Sequence, residues 1–429
     1  MGRAQTAILR DSLERPTYLG RDGGNAEEPR RPSRRGREPG RGGVTRIAPG
    51  WLRAPSTARV MRALAPIQPR FVGGCVRDAL LDGADGTVDI DIAVAARPEE
   101  TMRLAEAGGL GAHPTGLAHG VVTITSAGRG FEVASMRRDV ATDGRRAVVS
   151  YTDDIAADAA RRDFTMNALY ADAEGRVIDP LGGGLADVRA RRIRFVGAPA
   201  ERIMEDYLRI LRFFRFHATL GIDAFDPAGR AAAIDAAAGL AQVSKERIGA
   251  EMLKLLGAPD PEPALKAMGP VLGVVLPGAA PFHGLVAAER NAGEAPDPLR
   301  RLAALNARAA ESQLRLSRAD AARLRGIRAA LATPAPPAAR AYRRGADAAR
   351  DALLIEAADG APPPAGWRVE IARGAAATLP VAAADLIAAG AVPGPALGAR
   401  LEEIESLWIE SDFRATRAEL LAGDQDWPR

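Results

Sequence analysis

The sequence predicts a small α/β domain followed by a long helical region. Short apolar runs at 121–125 (VVTIT) and 131–136 (FEVASM) are typical of strands joined by a glycine-containing turn. The segment that starts at Pro98 begins with a proline and ends in glycines, as helices often do. From about Glu201 onward only helical periodicity recurs, and prolines separate the helical units. We therefore expect a mixed sheet with helices packed against it, followed by an all-helical remainder.

Length and composition set limits before any motif is considered. The chain of 429 residues is too long for one compact core, so two or three domains are expected. Its one cysteine, Cys75, excludes an intramolecular disulfide and favours a reducing cytoplasm. The sequence has no apolar run of about 18 residues and no apolar signal core, so we expect a soluble protein with no membrane partner.

Net charge alone gives no argument for a nucleic-acid partner. The chain has 58 basic and 54 acidic residues, a formal charge of +4. Residues 1–43 hold 10 arginines and 6 acids, which is also +4, so the remainder has 48 of each and is neutral. After Leu19 this segment has almost no large apolar side chains, and such a composition cannot bury enough surface to fold. We expect residues 1–43 to be a disordered leader outside the working enzyme core, or translation assigned too far upstream.

Two acids interrupt an apolar strand pattern at 87–96 (TVDIDIAVAA). Side chains alternate across a strand, so Asp89 and Asp91 are expected on one face while Ile90 and Ile92 point into the core. Carboxylates that close repel and raise each other's proton affinity. A positive group is therefore expected between them, although a solvated edge strand with its acids facing water is the alternative.

A glycine pair precedes the acids, in the segment FVGGCVRD at 71–78. Glycines let the backbone approach a phosphate, and the free N–H groups at the start of the following helix favour an anion. Arg77 can add a forked donor for phosphate oxygens. An ordinary turn explains the glycines equally well in isolation. Together with Asp89 and Asp91, the segment suits Mg²⁺-nucleotide chemistry, because Mg²⁺ takes one or two carboxylates completed by phosphates and water.

Two further segments combine arginines with polar or aromatic residues. The segment AARRDFTMNALYAD at 159–172 is compatible with a capped helix start bearing surface arginines. The segment EDYLRILRFFRF at 205–216 predicts a helix with one apolar stripe. Salt bridges along the helix would explain the charged residues on its other side. Phe213 and Phe216 lie among these arginines, however, and favour a surface that stacks a base and holds phosphates. The charged residues at three-residue steps are Asp206, Arg209, Arg212 and Arg215.

Five motifs in this order resemble those of the class II tRNA nucleotidyltransferases, the CCA-adding enzymes and their bacterial poly(A) polymerase relatives. The motifs are GGCVRD, DID, RRDFTMNAL, EDYLRILRFFRF and KERIGAEMLKLL, and they cover roughly residues 71–256. The resemblance implies a polymerase-beta-like α/β nucleotidyltransferase head followed by an all-helical neck, body and tail. With the leader at 1–43, it implies a catalytic head at 44–195, a neck with a nucleotide-selecting helix at 196–262, and a tRNA-binding body and tail at 263–429.

The resemblance also implies the site residues. Asp89 and Asp91 match the catalytic carboxylates that hold metal, so Mg²⁺ would be the positive group between them. A third carboxylate is expected to orient the metal or the primer hydroxyl, with Glu132 as the first candidate and Asp158 as the second. The positions that match nucleotide-binding residues of the family are Gly74, Arg77, Arg162, Asp206, Arg209, Arg212 and Arg215.

Asp206 and Arg209 supply an acceptor and a donor that complement two of the four bases. Cytosine and adenine each present an amine donor beside a ring-nitrogen acceptor, whereas uracil and guanine present the opposite order. Each mismatched polar contact costs about 1–3 kcal/mol. One such pair can therefore select CTP and ATP without a nucleic-acid template.

The implied activity is transfer of CMP and AMP from CTP and ATP to the 3′ end of tRNA. The C-terminal helices are expected to grip the acceptor arm and elbow of the tRNA through phosphates and shape. A poly(A) polymerase, an enzyme that adds only CC or only A, and a non-catalytic RNA-binding protein are the alternatives. None of the four histidines is followed by an aspartate, so the metal phosphohydrolase domain of some bacterial relatives is not expected.

Overall fold

The computed structural model describes residues 44–81, 89–143 and 146–422. The expected leader at 1–43 lies outside the described residues, as do Thr87 and Val88 at the start of the predicted acidic strand.

Nine strands are described in the N-terminal part of the chain. They are β1 (Arg70–Val72), β2 (Asp91–Val94), β3 (Gly111–Gly116), β4 (Val121–Ser126), β5 (Arg129–Ser135), β6 (Arg137–Asp143), β7 (Arg146–Tyr151), β8 (Tyr170–Ala171) and β9 (Val177–Ile178). Seven of them form one sheet in the order β3-β4-β5-β2-β1-β8-β9, and β6 and β7 form a separate pair. Only β2 and β5 pair in parallel among these described strands. The mixed sheet predicted from the sequence is confirmed.

Five helices accompany this sheet. They are α1 (Pro55–Ala63), α2 (Gly74–Leu81), α3 (Pro98–Ala107), α4 (Ile155–Ala160) and α5 (Gly184–Arg189). The helix predicted from Pro98 is α3, which has the proline in its first turn and Gly108 as its C-cap. Gly73, between β1 and α2, has φ +74°, a conformation that side chains other than glycine rarely adopt. This turn aims the start of α2 at the middle of the sheet.

The acidic strand is shorter than predicted. It begins at Asp91, and Asp89 lies exposed before it. Asp89 and Asp91 therefore do not both lie on one face of a regular strand. The backbone between them still bonds β5, because Glu132 N–H donates to the carbonyl of Ile90 at 3.3 Å. Pairing with β5 becomes regular only from Asp91, which lies opposite Glu132.

The predicted helical remainder is confirmed, and no described helix is long and apolar enough to cross a membrane. The first part holds α6 (Pro199–Glu205), α7 (Leu208–Leu220), α8 (Pro227–Asp235) and α9 (Lys245–Leu256). The rest holds α10 (Glu262–Met268), α11 (Pro270–Val275), α12 (Leu285–Asn291), α13 (Pro298–Ala304), α14 (Ala310–Gln313), α15 (Arg318–Ala332), α16 (Pro337–Arg344), α17 (Ala346–Ala358), α18 (Trp367–Ala376), α19 (Ala383–Ala388), α20 (Pro395–Glu410) and α21 (Arg417–Ala422).

The helix predicted from Glu205 to Phe216 is broken near its start. Asp206 is extended, with φ −155° and ψ 103°, and its Oδ1 accepts a hydrogen bond from Leu208 N–H at 3.1 Å. A short acidic side chain that bonds a nearby backbone N–H competes with helix continuation and starts a new helix instead. Asp206 therefore lies between α6 and α7, and only Arg209, Arg212 and Arg215 keep the helical three-residue steps.

Phenylalanines join the sheet domain to the helical region. Phe164 and Phe195 both belong to the last part of the predicted head, and their ring centroids lie 4.8 Å apart. Phe213 of α7 stacks on Phe195 at 5.4 Å and is fully buried, as is Phe164. Aromatic pairs of this kind contribute about 0.5–1.5 kcal/mol each beyond the area that they bury. The orientation of α7 against the sheet domain is therefore fixed by packing.

Helix α20 buries one side against a small aromatic cluster. Ile404 and Trp408 are buried, and Trp408 packs edge-on against Tyr342 and Phe413. Leu407 is 49% exposed. One helical step of about 100° separates it from Trp408 and turns it out of the small aromatic cluster.

Gly249→Ala should destabilise the protein by about 1–3 kcal/mol, because it overpacks a helix contact. A Cβ at Gly249 of α9 would lie 2.1 Å from the carbonyl oxygen of Leu314, which is backbone and cannot rotate away. Gly273→Ala, in α11, is the matched control because a Cβ there meets nothing within 4 Å. Urea denaturation of both variants should show a lower midpoint for Gly249→Ala and an equal or higher one for Gly273→Ala. Equal midpoints would contradict the close contact.

Candidate active site

Acidic residues meet where β2, a central strand of the sheet, begins. Asp91 and Glu132 are register partners on the parallel strands β2 and β5. Burial, the charge of Glu132 and the charge of Asp89 together raise the pKa of Asp91 to about 6, while Arg162 acts in the opposite direction. The like charges and the partial burial favour a positive charge close to Asp91.

The two candidates for a third carboxylate have different surroundings. Glu132 interacts electrostatically with Asp91. Within the part of the chain that the structure describes, however, no three or more His, Cys, Asp or Glu residues are grouped closely enough to hold one ion. Glu132 therefore acts on Asp91 through its charge, and metal binding by Asp89 and Asp91 stays a prediction.

Asp158 is committed to other partners, so the second candidate is disfavoured. Its Oδ2 accepts from the hydroxyl of Tyr170 at 2.5 Å and from Arg162 at 3.2 Å, and its Oδ1 accepts from Arg161 at 2.8 Å. Although burial acts to raise the pKa of Asp158, the two arginines and the tyrosine hold it below its usual range. Asp158 orients arginines and has no oxygen turned to a separate cation.

Arg162 lies between Asp91 and the buried pair of Asp158 and Tyr170. Its Nε donates to Tyr170 Oη at 3.1 Å, and its guanidinium lies 5.3 Å from the centre of the Tyr170 ring. It also lies close to the glycine turn, because a Cβ on Gly73 would be 3.5 Å from Arg162 Nη1. The sequence prediction that Arg162 belongs to the site is therefore consistent with its place between the glycine turn and Asp91.

Arg77 extends from α2 but has few free donors. Its Nε and Nη2 donate to the two oxygens of Asp78 at 2.7 and 2.9 Å, and its Nη1 donates to Asn167 Oδ1 at 2.6 Å. Its side chain is 8% exposed. Gly74 is adjacent, with a hypothetical Cβ 3.7 Å from Arg77 Nη2. A phosphate contact by Arg77 stays a prediction and would require exchange of one of these bonds.

Arg212 and Arg215 of α7 each have an acid partner from another segment. Arg212 donates to Asp163 Oδ2 through Nε and Nη2, at 2.8 and 2.6 Å. Arg215 donates through Nε to Glu251 Oε2 of α9 at 2.6 Å. Although burial acts to raise it, pairing with Arg212 keeps the pKa of Asp163 below its usual range. Asn167 links this group to Arg77, because its Nδ2 donates to Asp163 Oδ1 at 3.1 Å.

The side chains of Asp206 and Arg209 bond other partners, although Arg209 N–H donates to the carbonyl of Asp206 at 3.0 Å. Asp206 Oδ2 accepts from Arg247 of α9 at 2.7 Å. Arg209 donates through Nη1 to the carbonyl of Arg202 at 2.7 Å and to Glu205 Oε2 at 2.5 Å. The Asp206 side chain is 33% exposed and that of Arg209 is 14% exposed. Asp206 is therefore open to a ligand, whereas Arg209 faces the head, where its Nη2 also donates to the carbonyl of Arg161 at 3.2 Å.

The two phenylalanines among the arginines do not form an open stacking surface. Phe213 is fully buried in the aromatic core, which excludes it from stacking on a base. Phe216 is 7% exposed, and the guanidinium carbons of Arg77, Arg212 and Arg215 lie 5.0, 5.4 and 4.1 Å from its ring centre. The prediction of base stacking is wrong for Phe213. For Phe216 the cations already occupy the space that a base would need.

Sequence reasoning missed the acids that hold these arginines. Glu251 lies inside the quoted motif KERIGAEMLKLL, but helical spacing gave no sign that it reaches Arg215 of α7. Glu205, which bonds Arg202 and Arg209, and Arg247, which bonds Asp206, were also missed. Charged residues inside a helix motif were the available signal, since buried charges require partners.

The site thus combines crowded carboxylates with guanidinium groups. Asp91 lies close to Arg162, and the bonded series Arg77–Asn167–Asp163–Arg212 joins the start of α2 to α7. Such an arrangement suits a metal at the acids and a polyanion at the arginines.

Two family models match the chain. "Poly A polymerase head domain" matches residues 69–194, and "Probable RNA and SrmB- binding site of polymerase A" matches residues 224–269. The first match covers the glycine turn, both acids and Arg162. The second begins after α7 and covers α9 with Glu251.

Curated relatives match somewhat less than half of the chain. The CCA-adding enzyme of Streptococcus gordonii is 43% identical over 206 residues, 48% of this chain and 50% of the relative. The mitochondrial CCA tRNA nucleotidyltransferase 1 of Homo sapiens is 40% identical over 191 residues, 44% of this chain and 43% of the relative. The chain thus spans about half the length of the curated relatives that it matches.

Solved structures extend the likeness to nearly the whole described chain. The CCA-adding enzyme of Bacillus stearothermophilus in complex with CTP has a TM-score of 0.68 and 30% identity, and the match covers 84% of this chain and 94% of that one. The Thermotoga maritima CCA-adding enzyme complexed with tRNA, at 19% identity and a TM-score of 0.59, shares the fold over 86% of this chain and 95% of its own. Head motifs, helical region and overall fold therefore agree, and the chain belongs to the family of class II CCA-adding enzymes and poly(A) polymerases.

Proposed function

We propose that this protein adds or repairs the 3′-terminal CCA of tRNA, using CTP and ATP without a nucleic-acid template. The observation that carries the proposal is the position of Asp91 at the start of β2, where the charges of Glu132, Asp89 and Arg162 act on it. A site of this kind favours a cation and a phosphate together, and the fold resembles a CCA-adding enzyme solved with CTP.

The carboxylates fit a divalent metal, which nucleotidyltransferases of this family generally use, and we assign Mg²⁺. Asp89 and Asp91 would hold it, since each offers hard oxygen ligands. Burial and the neighbouring acids raise the pKa of Asp91, and a cation would offset both effects. When bound, Mg²⁺ supplies electrostatic stabilisation of the charge that develops on the phosphate oxygens. Glu132 would add negative charge behind Asp91 and strengthen its hold on a cation.

The transfer itself is an in-line displacement. The 3′-oxygen of the tRNA forms a bond to the α-phosphorus, the bond from that phosphorus to the bridging oxygen breaks, and pyrophosphate leaves with the bridging oxygen. The proton of the 3′-hydroxyl is released to solvent. Arg162 acts electrostatically on Asp91 and would contact the α-phosphate. Gly74, Arg77, Arg212 and Arg215 would bind the remaining phosphates.

Base selection would rest on Asp206 and Arg209. The Asp206 carboxylate is partly exposed, accepts from Leu208 N–H and pairs with Arg247, and it has lone pairs left for a ligand. It would accept the exocyclic amine of cytosine or adenine. Arg209 would donate to the neighbouring ring nitrogen, which requires it to release Glu205 or a backbone carbonyl.

Poly(A) addition is the second candidate, and the matches to two poly(A) polymerase family models favour it. Under either activity we propose that helices beyond α9 bind RNA through phosphates and shape, and that the protein works in the cytoplasm. The two activities differ only in what is added and when addition stops.

End-sequencing of reaction products tests the function directly. The full-length protein is incubated with tRNA lacking CCA, tRNA ending in C, CC or CCA, and an unrelated RNA, with each nucleotide separately and mixed. CCA addition predicts C, C and then A, with no further extension of tRNA that ends in CCA. Long A tracts on every RNA would identify a poly(A) polymerase, and CC or A alone would identify a split activity. No incorporation in magnesium buffer would contradict the proposal.

Asp91→Asn should lower nucleotide transfer by about a thousand-fold, because loss of metal binding removes several kcal/mol of transition-state stabilisation at 1.36 kcal/mol per ten-fold. The melting temperature should stay equal or rise, since the change removes a charge that Glu132 and Asp89 disfavour. Asp153→Asn, at an exposed position of the same domain, is the control and should leave both quantities unchanged. Full activity of Asp91→Asn in magnesium buffer would exclude the metal assignment.

Asp206→Ala should lower the ratio of CTP to UTP incorporation by roughly ten-fold or more, at about 1.4 kcal/mol per decade. The change removes both the attraction to the cytosine amine and the repulsion of the uracil carbonyl. Glu201→Ala, at an exposed position of α6, should leave the ratio unchanged. Single-turnover incorporation of each nucleotide measures the ratio. An equal loss for CTP, ATP and UTP would show that Asp206 serves structure instead of selection.

A further inference from the structure

Three guanidinium groups meet over one aromatic ring at the junction of α2 and α7. The guanidinium carbons of Arg77, Arg212 and Arg215 lie within 5.4 Å of the centre of Phe216. The ring is 7% exposed, and its edge contacts Phe164 at a centroid distance of 5.5 Å. One side chain therefore contacts cations from two parts of the chain that are more than a hundred residues apart in sequence.

Such a cluster needs attractive partners, because guanidinium groups repel one another. Each of the three bonds an acid: Asp78 for Arg77, Asp163 for Arg212 and Glu251 for Arg215. Glu251 also lies 3.7 Å from Arg212, and Asp163 is linked to Arg77 through Asn167, so these polar bonds join the arginines two at a time, whereas Phe216 contacts all three. The negative face of an aromatic ring attracts cations without a lone-pair acceptor, so it gathers them without occupying a specific N–H donor.

We propose that Phe216 is a positioning residue, which holds Arg77, Arg212 and Arg215 together as one binding site for the triphosphate of the incoming nucleotide. The inference rests on the proposed function for the identity of the polyanion. Because phosphates carry no base identity, loss of the ring's attraction should weaken CTP and ATP equally and leave base selection unchanged. Phe216 would thus act through the arginines and would not touch the nucleotide.

A fluorine series at Phe216 separates the ring's charge distribution from its shape. Phenylalanine with one, two or three ring fluorines keeps nearly the same volume, while the negative potential of the ring face falls with each fluorine. Calorimetry in magnesium-free buffer would measure the Kd of CTP, ATP and inorganic tripolyphosphate. Without metal, the acids near the start of β2 do not attract phosphates. The measured Kd therefore reflects the contacts between the phosphates and the arginines. We expect all three Kd values to rise stepwise and in parallel, by about ten-fold at three fluorines.

Substitutions with standard amino acids supply matched controls. Phe216→Tyr keeps a ring and should bind tripolyphosphate as the wild type does, whereas Phe216→Leu should bind it more weakly. Phe214→Leu removes another buried ring of α7, which packs on Phe213 and Phe225, and should lower the melting temperature without changing the Kd. In each variant that retains transfer activity, the ratio of CTP to UTP incorporation should equal that of the wild type.

The outcomes distinguish this inference from the proposed function. A Kd for tripolyphosphate that stays constant across the fluorine series would overturn the role of Phe216, even if the wild type adds CCA normally. Absence of tripolyphosphate binding by the wild type would overturn it as well. A stepwise rise in Kd in a protein that fails to extend any RNA would support the polyanion site and reject only the proposed reaction.

Discussion

The repulsion between Asp91 and its acidic neighbours is the interaction on which the rest of the site depends. Parallel pairing of β2 with β5 fixes Asp91 beside Glu132, and partial burial removes the water that would screen them. The sheet could avoid this cost with an apolar residue at either position. Strongly perturbed carboxylates in a protein with so many arginines are typical of functional sites, because a structural role would be served by direct pairing. The fold instead directs its arginines to other acids, and the counter-charge of Arg162 does not cancel the effects that raise the pKa of Asp91.

The same arginines make the site inseparable from the junction between the sheet domain and the first helices. Arg212 of α7 bonds Asp163, Arg202 of α6 donates to the carbonyl of Arg162 at 2.8 Å, and Arg215 bonds Glu251 of α9. A shift of α7 along the sheet domain would break several charged bonds at once, each leaving a buried charge unpaired at a cost of a few kcal/mol. The aromatic contact between Phe213 and Phe195 adds a shape constraint in the same place. Phosphate-binding groups are therefore positioned by the packing of the junction and not by the helix alone.

Periodicity and turn residues predicted the elements, and they could not predict the partners. The strands at 121–126 and 129–135, α3 and α9 follow from local patterns, since alternation, proline and glycine act over a few residues. The break at Asp206 was missed because a single aspartate outweighs a strong apolar stripe when it bonds the backbone. Glu251 lies 36 residues from Arg215, and Asn167 lies 90 residues from Arg77, so no spacing rule connects them. The resemblance to a family identified which residues to examine, whereas the physical reason for each appeared only in three dimensions.

The two ends of the site differ in how firmly their side chains are held. Asp163 and Glu251, which hold the arginines, have 10% and 7% of their side chains exposed, whereas Arg247, which holds Asp206, is 52% exposed. An exposed ion pair is worth roughly 0–1 kcal/mol and opens easily, while a buried one is costly to break. Under the proposed function, the triphosphate always has the same shape, but the base is a pyrimidine in two additions and a purine in the third. A rigid phosphate site and an adjustable base-reading residue meet both requirements. The unequal burial of these three ion pairs is thus a physical reason why one site can accept two bases of different size.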